Sequence, residues 1–201
     1  MSTMIPLNNI YKNQFFKSRE RHLAWRAPIV CSRLEEYFPC KSVIDVGCAV
    51  GDLVATFGRM GLDSWGLEGA TTALPHLMVP QSKVVVHDLR LPVIPPKTFD
   101  LVVCFEVAEH IEEEFAEQFV ANLQALARHW LVVSAAPPGQ GGTYHVNCKP
   151  EDYWHALFEK AGFARRDDLK NKFRQSLAPF KSKPGIKAYY NNVLAYEKPQ
   201  S

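Results

Sequence analysis

No apolar run in the sequence approaches the roughly 18 residues needed to cross a bilayer. Residues 1–21 are polar and charged, without the apolar core of a signal peptide. The five cysteines, Cys31, Cys40, Cys48, Cys104 and Cys148, are odd in number and form no C-x-x-C pair, so neither a disulfide framework nor a zinc site is encoded. There is no internal repeat, low-complexity tract or Gly/Ser linker. These absences give the expectation of a reduced, cytoplasmic, globular protein with residues 1–201 as one domain. The 47% hydrophobic content is enough for a real core.

The net charge is only +2, but its distribution is uneven. Residues 1–41 carry seven Lys/Arg and three acids, and residues 165–187 carry eight and two; the span between them carries seven against fifteen. Basic flanks around an acidic body are compatible with ordinary solvated helix faces. If the flanks converge on one site, they suit an anionic partner.

The most informative stretch is residues 43–51. Val43, Ile44 and Val46 are β-branched and apolar, as a strand buried on both faces of a parallel sheet requires. Gly47 and Gly51 then break the strand into a turn, and residues 52–60 form a helix whose free N–H groups point back at that turn. A nucleotide-like cofactor binds there in a Rossmann-type fold. A dinucleotide fingerprint needs glycines at 47, 49 and 52, and the chain has Gly47, Ala49 and Asp52.

Asp45, two residues before the first glycine, followed by Gly47-Cys48-Ala49-Val50-Gly51, resembles the first motif of class I S-adenosylmethionine-dependent methyltransferases, with Ala49 at the middle glycine. Further positions carry the same resemblance. Residues 64–69 read as a short strand ending in Glu68 and Gly69, and a carboxylate there can accept hydrogen bonds from both ribose hydroxyls of an adenosine. Glu68 alone argues for adenosine and not for methyl transfer. Val84-Val85-Val86 is a third strand; after it the resemblance implies that Asp88 binds the adenine amino group and Leu89 packs on the ring. A helix cap or turn is the plainer role for Asp88. Residues 99–105 form a fourth strand running into Glu106-Val107-Ala108-Glu109-His110-Ile111, similar to the F-D-x-V…E-x-x-E-H-I segment of the superfamily. Phe105 and Glu106 should then border the methionine end of the cofactor.

The resemblance implies an α/β, three-layer Rossmann-like sandwich. Its seven-stranded sheet would have the order 3-2-1-4-5-7-6 with strand 7 antiparallel, and N-terminal helices would be added. Residues 1–40 would be a helical lid over residues 41–201, with Tyr11, Phe15, Phe16 or Arg19 lining the acceptor pocket. Helical periodicity is expected over 11–38, with Leu23 and Trp25 on the first part and Pro28 starting the second. A packing helix is expected over 112–128, a fifth strand over 130–134 and a mobile, Gly/Pro-rich acceptor loop over 135–147. A helix starting at 149–154 is expected next, and a last hairpin around Phe173 and 189–196.

The cofactor implied is S-adenosylmethionine, leaving as S-adenosylhomocysteine. A hydroxyl acceptor profits from a general base, so His145 and His110 are the catalytic candidates. The cofactor candidates are Asp45, Gly47, Cys48, Ala49, Gly51, Glu68, Gly69, Asp88, Leu89, Phe105 and Glu106. An alternative places Glu106, Glu109 and His110 on one helical face with His145 opposite. That set is similar to the divalent-metal site of small-RNA 3′-terminal 2′-O-methyltransferases, although E-x-x-E-H also occurs in relatives that hold no metal. The reading taken is O-methylation of a small acceptor, sugar- or phosphate-bearing and anionic, by a monomer or homodimer with no membrane partner; a divalent metal and a nucleic-acid acceptor belong to the less favoured alternative, a metal-assisted RNA 3′-terminal ribose 2′-O-methyltransferase. A non-catalytic cofactor-binding subunit is the competing class.

Overall fold

The computed structural model describes residues 4–95 and 97–199, leaving out the side chains of residues 20–24. Leu23 therefore lies outside the described side chains. The sheet has seven strands in the order β3-β2-β1-β4-β5-β7-β6. They are β1 (Ser42–Val46), β2 (Asp63–Glu68), β3 (Val84–Val86), β4 (Phe99–Phe105), β5 (Ala127–Ser134), β6 (Ala164–Arg165) and β7 (Val193–Glu197). β1 to β5 pair in parallel, and β7 runs antiparallel to β5 and β6. This is the order expected, with the antiparallel strand where it was expected.

Helices cover both faces. They are α1 (Leu7–Ile10), α2 (Asn13–Leu23), α3 (Ala27–Tyr37), α4 (Asp52–Arg59), α5 (Ala116–Leu126), α6 (Glu151–Lys160), α7 (Asp167–Ser176) and α8 (Lys187–Asn192). Strand side chains alternate between two cores. Ile44, Val46, Val102, Cys104, Leu131 and Val133 pack toward Phe119, Leu123, Trp154 and Phe158 of α5 and α6. Val43, Leu101, Val103, Phe105 and Val132 pack toward Val30, Leu34, Phe57 and Phe173 of α3, α4 and α7. Asp45, between Ile44 and Val46, takes the second face. β1 neighbours both β2 and β4, so the chain reverses direction across the sheet there, and a crevice opens beyond the carboxyl ends of β1 and β4.

Three local expectations are corrected. The segment 11–38 does hold two helices, α2 and α3, but its bounds differ: Tyr11 caps α1, and a 3-10 turn, Ala24–Arg26, separates α2 from α3 and leaves Trp25 exposed. Pro28 sits in the first turn of α3, as expected. The helix expected over 112–128 is a 3-10 turn, Glu113–Phe115, followed by α5, and β5 begins at Ala127. Ala127 pairs with Phe99, and Arg128 reaches Asp100 of β4 at 2.9 Å, so cross-strand contacts capture residues that helical periodicity also fits. The last hairpin is β6 with β7; Phe173 and Tyr189 belong to the inserted helices α7 and α8, which bury both residues against the second core.

Candidate active site

The crevice is a cavity of about 390 Å³, in the range of small-molecule sites. It gathers Asp45, Gly47, Cys48, Ala49, Glu68, Gly69, Asp88, Leu89, Phe105, Glu106, His110 and His145, and Tyr11, Phe15, Phe16 and Arg19 line it from the N-terminal helices. Of the sixteen residues singled out for these roles besides Gly51, none is left outside. Gly51 is not in the cavity wall: it is the left-handed N-cap of α4, with φ of 74°, and donates its N–H to the Cys48 carbonyl at 2.8 Å. It shapes the turn from behind.

The turn after β1 needs unusual backbone. Gly47 has φ of 78°, and a Cβ there would collide with the Val107 side chain. Ala49 takes φ of 51°, so the residue at the motif's middle glycine position keeps a left-handed conformation without being glycine. Among the described residues the non-glycine positive-φ positions are Ala49, Glu106 and Tyr144. The first two line the cavity and Tyr144 sits in the loop beside it, the placement expected of strain held at a functional site.

Glu68, at the tip of β2, is buried and accepts N–H donors from Ala49 at 2.9 Å and Ala70 at 2.8 Å. Burial raises its pKa, while these amides oppose the rise. Each carboxylate oxygen keeps a second lone pair, which fits a diol. Asp45 is buried at the tip of β1, where burial and the neighbouring Asp52 push its pKa to about 8 against the pull of Arg26. Arg26 and Asp52 face each other at 3.5 Å, yet Nε of Arg26 and Oδ2 of Asp52 have no hydrogen-bond partner. These buried, unsatisfied groups at the Gly47 turn fit a zwitterionic ligand end. Tyr189 stacks on Phe105 at 4.3 Å and lies 5.0 Å below the Arg26 guanidinium, closing this end.

Asp88 differs from the simplest expectation, because both of its oxygens are taken by Arg90, at 2.7 Å to Nη2 and 3.0 Å to Nε. Burial works against its ionisation, but the Arg90 hydrogen bonds win and hold the pKa below the usual range. Arg90 also reaches Glu112 at 3.1 Å and the Ile5 carbonyl at 2.9 Å, and Tyr144 donates to Glu112 at 2.9 Å. One guanidinium thus joins the N-terminal segment, the loop after β3 and the residues under the 135–147 loop.

Glu106 does not share a helical face with Glu109 and His110. Its left-handed backbone ends β4, only a 3-10 turn, Ala108–His110, follows, and its carboxylate accepts from Gln140 at 3.0 Å and Asn192 at 3.1 Å. The loop expected to be mobile is anchored: Val146 and Asn147 donate to the Glu109 carbonyl at 3.0 Å, and Nδ1 of His145 meets the Gln140 carbonyl at 3.0 Å. Nδ1 of His110 likewise meets the Tyr144 carbonyl at 3.1 Å. A carbonyl only accepts, so both Nδ1 atoms carry hydrogen, and in the neutral form of either ring the lone pair sits on Nε2. Burial drives the His110 pKa down to about 4, which keeps that ring neutral. Glu109 is fully buried with neither carboxylate oxygen hydrogen-bonded, and burial together with Glu106 holds its pKa well above the usual range. Glu109, His110 and His145 place one ligand atom each within 4.8 Å of one another.

Arg26, Asp52, Arg90, Gln140, Asn192 and Tyr189 were missed from the sequence. Asp52 stood in the motif's own helix and could have been found there; the others come from segments without a motif.

The fold and the cavity at its switch point define the class as Rossmann-like, class I methyltransferases. The sequence agrees: the family model described as "Methyltransferase domain" matches residues 19–166, and the chain belongs to that family of S-adenosylmethionine-dependent enzymes. No curated protein matches by sequence. Among solved structures, the chain is similar to Haemonchus contortus phosphoethanolamine N-methyltransferase 2, in complex with phosphomonomethylethanolamine and S-adenosylhomocysteine (15% identity, TM-score 0.64). That match covers 96% of this chain and 59% of the other, so the chain spans less than two thirds of that relative. Streptomyces venezuelae DesVI matches over 96% of this chain and 99% of its own at 15% identity and TM-score 0.68. CalS10, an amino pentose methyltransferase from Micromonospora echinaspora in its S-adenosylmethionine complex, matches over 99% of both chains at 15% identity and TM-score 0.64. Among the described residues no helix is long and apolar enough to cross a membrane.

Proposed function

We propose that the protein methylates an oxygen of a small, sugar- or phosphate-bearing acceptor. S-adenosylmethionine supplies a methyl group already activated on a sulfonium, so the chain must position the acceptor and remove one proton. Glu68 would hold the ribose hydroxyls, and Asp88 and Leu89 the adenine. Asp45, the Gly47 turn and Phe105 would hold the methionine end, with Cys48, Ala49, Gly69 and Glu106 completing the wall. Of the expected lid, residues 1–40, the described part from Met4 onward serves as the lid.

The observation that carries oxygen as the methylated atom is the pair of Nε2 lone pairs on His145 and His110, each ring fixed by a carbonyl on its other nitrogen. His145 takes the hydroxyl proton on Nε2 as the oxygen attacks. Glu109 lies 3.9 Å from the same nitrogen; burial keeps its proton on at rest, so it compensates the imidazolium only as it ionises. An unbiased metabolite screen for mass gains of one methyl group, run with wild type and His145→Ala, tests this. Methylated products on nitrogen alone would contradict it.

A second reading rests on the same lone pairs. Two imidazole nitrogens and a carboxylate with no donor converge within 4.8 Å, an arrangement a divalent cation would satisfy, as in a metal-assisted ribose 2′-O-methyltransferase. Turnover undiminished by EDTA would remove that reading. A non-catalytic cofactor-binding subunit fits less well, because acceptor-side groups are present and preorganised.

A further inference from the structure

The cavity wall contains three guanidinium groups in different states. Arg90 is saturated by Asp88, Glu112 and the Ile5 carbonyl. Arg26 faces Asp52 and lies over the Tyr189 ring. Arg19 lies over the face of Phe15, 4.2 Å from its Cζ, and feels Tyr189, Glu68 and Asp52 and the repulsion of Arg26 only at longer range. Among the described residues no carboxylate lies within ion-pair distance of it, and its Nε is buried without a hydrogen-bond partner. A guanidinium fork that is half-buried and unpaired is costly unless a ligand completes it, and its planar donors match a carboxylate or phosphate bidentately.

The position of Arg19 on the wall says which part of a ligand reaches it. A continuous line of rings leads to it from the candidate base. His145 contacts His110 with centroids 4.9 Å apart, His110 contacts Tyr11 at 5.8 Å, and Tyr11 contacts Phe15 at 5.1 Å. Phe15 then carries Arg19, one helical turn further along α2. The second basic segment reaches the same cavity: Gly185 and Ala188 line it, and Lys183 and Lys187 stand exposed beside them without ion pairs among the described residues. The two basic flanks therefore converge, as an anionic ligand requires. The methionine end of the cofactor has its own cation in Arg26, beside Asp45 and Asp52 at the Gly47 turn.

Building on the proposed oxygen methylation, we infer that Arg19 is the specificity-determining residue for the acceptor. It reads a carboxylate or phosphate carried at the far end of a ring-shaped or apolar body whose hydroxyl lies at His145. The rings of Tyr11 and Phe15 pack along that body, and Lys183 and Lys187 raise the local concentration of the anion. Neutral molecules of the same shape lose the ion pair and bind weakly.

The test uses the full chain saturated with S-adenosylhomocysteine and paired probes: hydroxyphenylpropanoate against propylphenol for a carboxylate, and glycerol phosphate against glycerol for a phosphate. By titration calorimetry, the anionic member of at least one pair binds wild type about tenfold or more tighter than its neutral counterpart. The pair that shows the preference identifies the anion. Arg19→Gln abolishes the preference, and Arg19→Lys retains part of it because a point charge replaces the fork. Affinity for S-adenosylhomocysteine stays within about twofold in both variants, which also reports that the cavity is folded. Equal binding of both pair members, no binding of any probe, or a preference surviving in Arg19→Gln would overturn the inference. So would Arg19→Gln losing S-adenosylhomocysteine but not its decarboxylated analogue, since Arg19 would then serve the cofactor. Wild type failing to bind S-adenosylhomocysteine at all would instead defeat the underlying reading of the cavity.

Discussion

Nε2 of His145 lies 3.9 Å from Oε1 of Glu109, a carboxylate with no exposed surface and no hydrogen-bond partner on either oxygen. With Nδ1–H committed to the Gln140 carbonyl, the Nε2 side of His145 faces this buried acid, whose own proton burial holds on at rest. His145→Ala is therefore expected to lower turnover by roughly 10²- to 10⁴-fold while leaving cofactor affinity nearly unchanged. Single-turnover rates and calorimetry on the same preparation check both halves; a large loss of cofactor affinity would place His145 elsewhere in the mechanism.

Gly142 lies against the face of that imidazole, and a Cβ there would overlap the His145 ring atoms. Gly142→Ala should push the ring from its place and reduce kcat by about tenfold or more, with little change in melting temperature, because displacement of a reacting group costs rate steeply. A variant with wild-type kcat would show that the ring position does not matter.

Asp45 supplies a pH signature. Its folded pKa, about 8, lies above the ordinary 3.8, so the folded state holds the proton more tightly than the unfolded chain. The stabilisation is fully present below the ordinary value and is lost as pH rises through the folded one. Melting temperature should fall across that interval, and Asp45→Asn should flatten the fall. A cofactor amino group at this position favours the ionised form, so affinity for S-adenosylhomocysteine should rise with pH toward 8, by at most about tenfold per unit. A pH-independent affinity would separate Asp45 from the methionine end.

Arg90 joins segments far apart in sequence, and all of its neighbours depend on it. Arg90→Gln leaves Asp88 and Glu112 as neighbouring carboxylates without their shared cation. The expected cost is roughly 3 kcal/mol of stability, in the range for breaking a buried pair. Hydrogen exchange should show the N-terminal segment around Ile5 and the loop around Tyr144 opening together. Opening of one without the other would mean the hub does not couple them.

Much of this site could be read from the sequence because the first half of the fold is written locally. Buried parallel strands are continuous apolar runs, so β1, β3 and β4 appear as Val43–Val46, Val84–Val86 and Phe99–Phe105, and the residues at their carboxyl ends follow by counting. Asp45, Glu68, Asp88 and Phe105 were placed in this way. The helical face drawn through Glu106 was misread because a positive φ at a non-glycine residue leaves no mark in the sequence. Ala127, Arg128 and His129 continue the helical pattern of α5, and only pairing with β4 makes them strand. Arg26, Tyr189 and Gln140 reach the cavity through tertiary packing of the 3-10 turn before α3, of α8 and of the 135–147 loop, and Asn192 of α8 touches it through Glu106. No local spacing relates Asn192 to Glu106, eighty-six positions earlier, although they bond at 3.1 Å.

The central claim is that the cavity beyond β1 and β4 is an adenosine-and-sulfonium site closed by Glu68. Titration calorimetry of wild type and Glu68→Ala with S-adenosylmethionine and S-adenosylhomocysteine tests it most directly. One-to-one, saturable binding to wild type is predicted, weakened about tenfold or more in Glu68→Ala, where the ribose loses its charged acceptor and the Ala49 and Ala70 amides lose theirs. Absence of binding to wild type, or equal binding to both proteins, would contradict it.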